Sequence, residues 1–531
     1  MKAKELFIDS NLINYKKLTK YLDVGLKSIR NNAGETPIYP ITTRKSINDL
    51  TELGVFPKKG LDLTELLKNI HHEFEGCVKT GHSMCMKNIL PQSNIAGLVG
   101  LLLGSMYMAN GVTGEDAGAL LDCELKCSAA MADYVGYNKY NSAGVFTYGG
   151  SGTNLYAIKI GLTKANQDSI AKGNINKTFV IGSKSSHYSH LSAINWLGIG
   201  EDSYIQVPVN KDQTTNTAKM KEEIERVVSN GNKIAAIMLS GGTTSNMAID
   251  DIYDIYMFRG YIVKKYNLNY IPHIHCDSVI GWAYCCFKDY NLAENKLKFS
   301  KATLKQIKCL QEKTDQFKYA DSLGIDFHKT GYVQYVASMV LFKNKEDLNL
   351  LKKKKERLTP LFHDDFCYNP GIFTLETSRS TATMLSVWLT INSIGVEGYQ
   401  QLLGNALDCA NYLRKLIKKE DNGMYIVNKT FYGSDIFVGV KGFGEQDPNV
   451  NINVKFINKQ TSDFAQFVMN NNQRYAISKS SAAIYNDLQE AIQGIRVYLL
   501  VASISKRTVK KFYEMMKEDR LKYEQIKKTF K

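Results

Sequence analysis

Between about residue 145 and residue 345 the chain alternates short strand-like apolar runs with helical patterns, and no other feature narrows its possible folds so far. Runs at 145–147, 178–181, 233–239 and 270–278 are each followed by small or polar residues and then by a helix-like stretch. Strands separated in this way fit a mostly parallel sheet covered by helices. In open sheets of that kind, ligands bind beyond the carboxyl ends of the strands. The residues that follow each run are therefore the place to look for chemistry.

After the first run comes Tyr148-Gly149-Gly150-Ser151-Gly152-Thr153-Asn154. Its small residues let backbone N–H groups approach an anion, and the helix that follows points its positive end at the same spot. Taken alone, the glycines read first as a structural turn between elements. The second run ends in Ser186-His187-Tyr188-Ser189, where His187 is placed to stack on a flat ring; the third ends in Gly241-Gly242-Thr243-Thr244, with hydroxyls to offer. The fourth ends in His273-Ile274-His275-Cys276-Asp277. With period two, His273, His275 and Asp277 share one face, which makes a metal site conceivable, but no second ligand cluster stands at zinc spacing and no metal is expected. Read instead with its neighbours, Asp277 is a carboxylate for a heterocyclic nitrogen. A fifth stretch, Ala320 through Gly331, places Lys329 behind a strand-like run, where an amine can meet a carbonyl, with His328 beside it.

At 531 residues the chain exceeds what one core supports, and two or three units are expected. A net charge of +15 raises nucleic acid as a partner, but much of it lies in Lys-rich helical stretches that also carry acids, and no nucleic-acid motif is present. We therefore expect neither nucleic acid nor membrane as a partner. Ten cysteines without framework spacing point to a reducing cytoplasm. The apolar, Gly-rich stretch from Ile95 to Val112 is short for a membrane span and reads as a buried helix. Past Gly398 the pattern is helix, strands at 435–441 and 450–457, helix, a strand at 494–501 and a Lys-rich final helix. The expected division is an N-terminal helical segment (1–95), a large domain (96–398) with a charged helical insertion near 292–318, and a small C-terminal α/β domain (399–531).

Taken together, these blocks make the chain similar to the pyridoxal-phosphate-dependent group II amino-acid decarboxylases, which include glutamate, tyrosine and aromatic amino-acid decarboxylases. The resemblance rests on 146–154, His187-Tyr188-Ser189, Gly242-Thr243-Thr244 with Asp250-Asp251, His275 through Ser278, Ala320 through Lys329, and Leu375 through Ser380. It implies the type I aminotransferase-like α/β fold with a mostly parallel seven-stranded sheet, a homodimer with active sites at the subunit interface, and pyridoxal 5'-phosphate as cofactor. It implies that Lys329 bonds the cofactor, that Asp277 holds its ring nitrogen and that His187 stacks on its ring. Gly150, Ser151 and Thr153 would hold the phosphate, with Thr243 and His328 contributing to the pocket and Tyr368 a candidate proton donor. The implied reaction converts an L-amino acid to its amine and CO2. A carbon–carbon lyase related to sphingosine-phosphate lyase, and a non-catalytic basic binding protein on the same fold, stay open as alternatives. For the substrate, Arg379 or Lys87 would suit an acidic side chain, and Trp282, Tyr332 and Phe373 an aromatic one; His82 and Met84 are further candidates to line the pocket. Ser278 and Gly281-Trp282 depart from the alanine and the Gly-Gly usual in the family.

Overall fold

A computed structural model describes residues 3–42, 44–89, 91–174, 177–353, 368–429, 432–441, 454–471, 473–479 and 484–529. Its centre is a seven-stranded sheet of β1 (Ala143–Thr147), β2 (Thr178–Ser183), β3 (Tyr204–Val207), β4 (Lys233–Ser240), β5 (His273–Asp277), β6 (Ser322–Asp326) and β7 (Ser338–Phe342). The spatial order is β1-β7-β6-β5-β4-β2-β3, and β7 alone pairs antiparallel to its neighbours. Strands β2, β5 and β6 are buried along their whole length, as expected for strands covered on both faces. One contact fixes the covering helix Gly150–Ala165: a Cβ on Gly161 would lie 2.3 Å from the Ala235 carbonyl oxygen of β4. Only glycine permits that approach, and it sets the start of the helix over the carboxyl ends of the strands.

The helix Thr381–Lys419 runs from the large sheet to a second sheet, with non-helical backbone at Gly395 (φ 62°). That second sheet is antiparallel, in the order β10-β13-β9-β8, from β8 (Met424–Ile426), β9 (Asp435–Val440), β10 (Ser478–Lys479) and β13 (Ile495–Tyr498). A short hairpin pairs β11 (Ile484–Tyr485) with β12 (Ala491–Ile492). The strand expected at 450–457 is corrected: a helix spans Val454–Asn471, and 450–453 lie outside the described residues. Ile457, Thr461, Phe464, Ala465 and Val468 are buried along one helical face, a repeat that overrides the β-branched alternation at its start.

The N-terminal segment is helical where described, including Tyr15–Asn32, Ile47–Leu53 and Leu63–Lys68. The apolar stretch after it forms a helix, Ile95–Ser105, but not a buried one. Gly97, Gly100 and Gly104 face inward, while Ile95, Leu98, Val99, Leu102 and Leu103 are exposed. A glycine stripe lets this helix lie directly on the 381–419 helix: a Cβ on Gly100 would sit 2.7 Å from Ser386 Cα, and one on Gly104 2.6 Å from Ala382 Cα. The helix is thus bound through its smallest residues and presents its largest. Among the described residues no helix is long and apolar enough to cross a membrane. Gly104→Val should destabilise the fold by roughly 1–3 kcal/mol through overpacking against the 381–419 helix, read from the midpoint of urea unfolding.

Candidate active site

The ends of β1, β2, β4, β5 and β6 converge on one cavity of about 290 Å³, lined in part by Gly150, Ser151, His187, Thr243, Asp277, His328 and Lys329. The turn out of β1 passes through Gly149 at φ 118°, a left-handed conformation that favours glycine, and the helix begins at Gly150. Its first N–H groups have no acceptors within the helix. A Cβ on Gly150 would lie 3.1 Å from Asp326 Oδ2 and 3.1 Å from Val279 Cγ1, so a larger residue would fill the cradle.

Asp277 is the most tightly specified group in the cavity wall. Its Oδ2 accepts from Asn154 Nδ2 at 3.2 Å and from His190 Nε2 at 3.1 Å, whereas its buried Oδ1 has no partner. Burial opposes its charge, but the His190 hydrogen bond and the nearby His190, His275 and Lys329 outweigh burial and hold the carboxyl far below its ordinary range. The Asn154 amide also donates to Ser189 Oγ at 3.0 Å. Ser189 in turn positions His187: its hydroxyl lies 2.8 Å from His187 Nδ1, and its backbone N–H donates to the same nitrogen at 3.2 Å. Burial lowers the pKa of His187, so a neutral ring faces the cavity. Upstream on β5, His273 Nε2 and His275 Nδ1 meet the Ser322 hydroxyl at 2.7 and 2.8 Å.

Lys329 follows β6 and reaches Asp326 Oδ2 at 2.9 Å. Burial works against its charge, and Asp326 and Asp277 more than compensate, raising its pKa above the ordinary lysine value. Asp326 is itself fixed by the Ser338 hydroxyl, which donates to Oδ1 at 2.6 Å. His328 stands 3.5 Å from Asp326 Oδ2 through Nε2, and its ring lies 4.2 Å from that of Tyr335. The departures at Ser278 and Trp282 are both accommodated: Ser278 Oγ donates to Gly324 O at 2.7 Å, and Trp282 Nε1 donates to Asp326 O at 3.1 Å, bracing β6 from behind.

Several of the expected site residues do not face this cavity. Thr153 is fully buried, and its hydroxyl donates to Gly150 O at 2.7 Å, because the helix turns it toward the sheet. The residue one turn beyond Gly150 is Asn154, and it is Asn154 that lines the cavity. Tyr368 donates to Glu124 Oε2 at 3.0 Å, beside the buried Arg379–Glu124 ion pair. Its hydroxyl and the Arg379 guanidinium are both engaged by Glu124, away from the cavity. Lys87, Trp282, Tyr332 and Phe373 do not line the cavity, and His82 and Met84 line a separate depression beside the C-terminal helix. Sequence reasoning missed Asn154, His190, Asp326 and Tyr335. The Asp at three residues before the lysine was the one signal within reach, since a carboxylate there sits on the same turn as Lys329.

These features define a cofactor site of the pyridoxal-phosphate type. The unpartnered, ionised Asp277 Oδ1 matches a protonated ring nitrogen, the glycine cradle a phosphate, and Lys329 an aldehyde. The chain belongs to the pyridoxal-dependent decarboxylase family, whose conserved-domain model matches residues 46–301 and 305–438. It is 23% identical over 259 residues to L-tyrosine decarboxylase of Enterococcus faecium, covering 44% of this chain and 40% of that protein. It is 26% identical over 296 residues to aspartate 1-decarboxylase of Aliivibrio fischeri, covering 53% and 48%. The chain thus matches less than half the length of either relative. Among solved structures, a rice TDC with PLP and tryptamine superposes with a TM-score of 0.78 at 14% identity, over 96% of this chain and 99% of that one. Mouse CSAD gives 0.75 at 17% identity, over 95% and 98%. The fold is therefore that of the type I aminotransferase-like enzymes, as the sequence implies.

The buried histidines carry a pH signature. Burial pushes His275 down to about 3 from 6.5. The unfolded chain therefore takes up its proton first, and stability falls as pH drops from about 6.5 towards about 3. Urea unfolding of His275→Gln between pH 6 and pH 4.5 should show a shallower loss than the parent chain.

Proposed function

We propose that the chain decarboxylates an L-amino acid to the corresponding amine and CO2, with pyridoxal 5'-phosphate as cofactor. The observation that carries this reading is Asp277, one oxygen tied to Asn154 and His190 and the other buried without a partner beside Lys329. When bound, the cofactor supplies an aldehyde that captures the substrate amine and a ring that takes up the electron pair left as CO2 departs. Asp277 Oδ1, buried and unpartnered, would hold the ring nitrogen protonated. His187, neutral and fixed by Ser189, would cover the ring face, and the first-turn N–H groups of Gly150 and Ser151 would hold the phosphate. Lys329 Nζ would offer the amine for the cofactor's aldehyde, and Asp326 Oδ2, 2.9 Å away, would orient it. Tyr335, which lines the cavity and feels the Lys329 charge, takes the proton-delivering role expected of Tyr368. The named substrates of the relatives differ, so the proposal stays at the level of an L-amino acid.

We retain three units, 1–95, 96–398 and 399–531, with the 292–318 insertion containing the helix Lys301–Thr314. We also propose a homodimer. Support comes from the outward row of Ile95, Leu98, Val99, Leu102 and Leu103, and from the exposed N-terminal Ile47, Val55 and Phe56. Apolar surface of this extent marks an interface in a soluble protein. The nine described cysteines are all free, which favours the cytoplasm.

Amine and CO2 should form in equal amounts from at least one L-amino acid; an aldehyde product without CO2 would select the lyase alternative. Lys329→Ala should lower kcat at least about 10³-fold, and Asp277→Asn by about 10²-fold, with far-ultraviolet circular dichroism unchanged. Sedimentation should give twice the chain mass, and Leu98→Asp with Leu102→Asp should shift it to the monomer.

A further inference from the structure

His190 lies in the first turn of the helix Ser189–Trp196, which follows β2. It is fully buried, one turn beyond His187, and it belongs to no motif that the sequence presents. Its two nitrogens join groups on different strands: Nε2 is 3.1 Å from Asp277 Oδ2 on β5, and Nδ1 is 3.3 Å from the Tyr204 hydroxyl on β3. The rings of His190 and Tyr204 meet edge to face, 6.5 Å apart. A Cβ on Gly182 would lie 2.5 Å from the Tyr204 hydroxyl oxygen, so the tyrosine is also held against β2.

A carboxylate accepts only, so Nε2 carries a proton towards Asp277, while Nδ1 and the tyrosine hydroxyl share a second hydrogen bond. The result is a chain from Tyr204 through His190 to Asp277 Oδ2. Without it, Oδ2 would keep only the 3.2 Å bond from Asn154. A buried carboxylate with one weak partner can turn about its last torsion and favours its neutral form. Either change would weaken its hold on a protonated ring nitrogen.

We propose that His190 is a positioning residue for the cofactor: it ties down Asp277 Oδ2, so that Oδ1, still ionised, faces the ring N–H of pyridoxal phosphate. The proposal rests on the reading that the cofactor's ring nitrogen sits at Asp277. No reacting atom touches His190; it acts through Asp277.

The test compares binding of two ligands to the purified full-length protein stripped of cofactor. One is pyridoxal 5'-phosphate; the other is its carbocyclic analogue, with carbon in place of the ring nitrogen. The parent protein should prefer the natural cofactor. His190→Phe should weaken its binding by about tenfold and that of the analogue by less than about twofold, because only the first ligand uses Oδ1. His190→Gln, which can place an amide N–H near the position of Nε2, should restore most of the preference. Tyr204→Phe, which leaves the helix intact, should narrow the preference in the same direction and carries the comparison if His190→Phe does not fold. Equal weakening for both ligands in His190→Phe would reduce His190 to a packing residue and overturn the proposal, as would no change for either. A parent protein that binds both ligands equally would overturn the placement of the ring nitrogen at Asp277, and the proposal with it.

Discussion

A carboxylate buried at the end of a strand is costly unless its charge is answered, and Asp277 is answered on one oxygen only. Asn154 and His190 hold Oδ2 while Oδ1 is buried and unmatched. The surrounding fold makes this arrangement possible. Asn154 comes from the helix after β1, His190 from the helix after β2, and Asp277 from β5, so three elements far apart in sequence must be in register for one carboxylate to be held. The Gly161 contact with Ala235 supplies part of that register, because it fixes the height of the 150–165 helix over the sheet.

Lys329 is organised by the same logic. It follows β6, the neighbour of the strand that carries Asp277, and is paired with Asp326, which Ser338 holds from the neighbouring β7. Two carboxylates thus share the cavity in different settings: Asp277 has one oxygen buried without a partner, and Asp326 is paired with Lys329. Trp282 braces the backbone of Asp326, and Tyr498 of the second sheet donates to Thr244 O in the cavity wall, so the C-terminal unit is mechanically part of the site.

The parts of this site carried by strand ends were legible in the sequence, because a period-two run and its terminating residue fix both depth and direction. Asp277, His187 and Lys329 were placed that way, and all line the cavity. What was not legible depends on helix phase or on distant partners. Choosing Asn154 over Thr153 needs the first helical residue to be known without error, since a shift of one position turns a side chain by about 100°. His190 reads as an ordinary helix residue until β3 and β5 are laid beside it. Tyr368 meets Glu124, 244 positions away, a pairing that no local pattern announces. The apolar composition of the 95–105 helix predicts burial, yet only its glycines are buried; apolar composition says that a surface is to be covered, not which chain covers it.

The most direct measurement is the visible absorption spectrum of the purified protein with pyridoxal phosphate, followed by borohydride reduction and peptide mapping. The account predicts an absorption band that reduction removes, with the cofactor's mass recovered on the peptide containing Lys329. No band with added cofactor, or a reduced adduct spread over surface lysines, would contradict it.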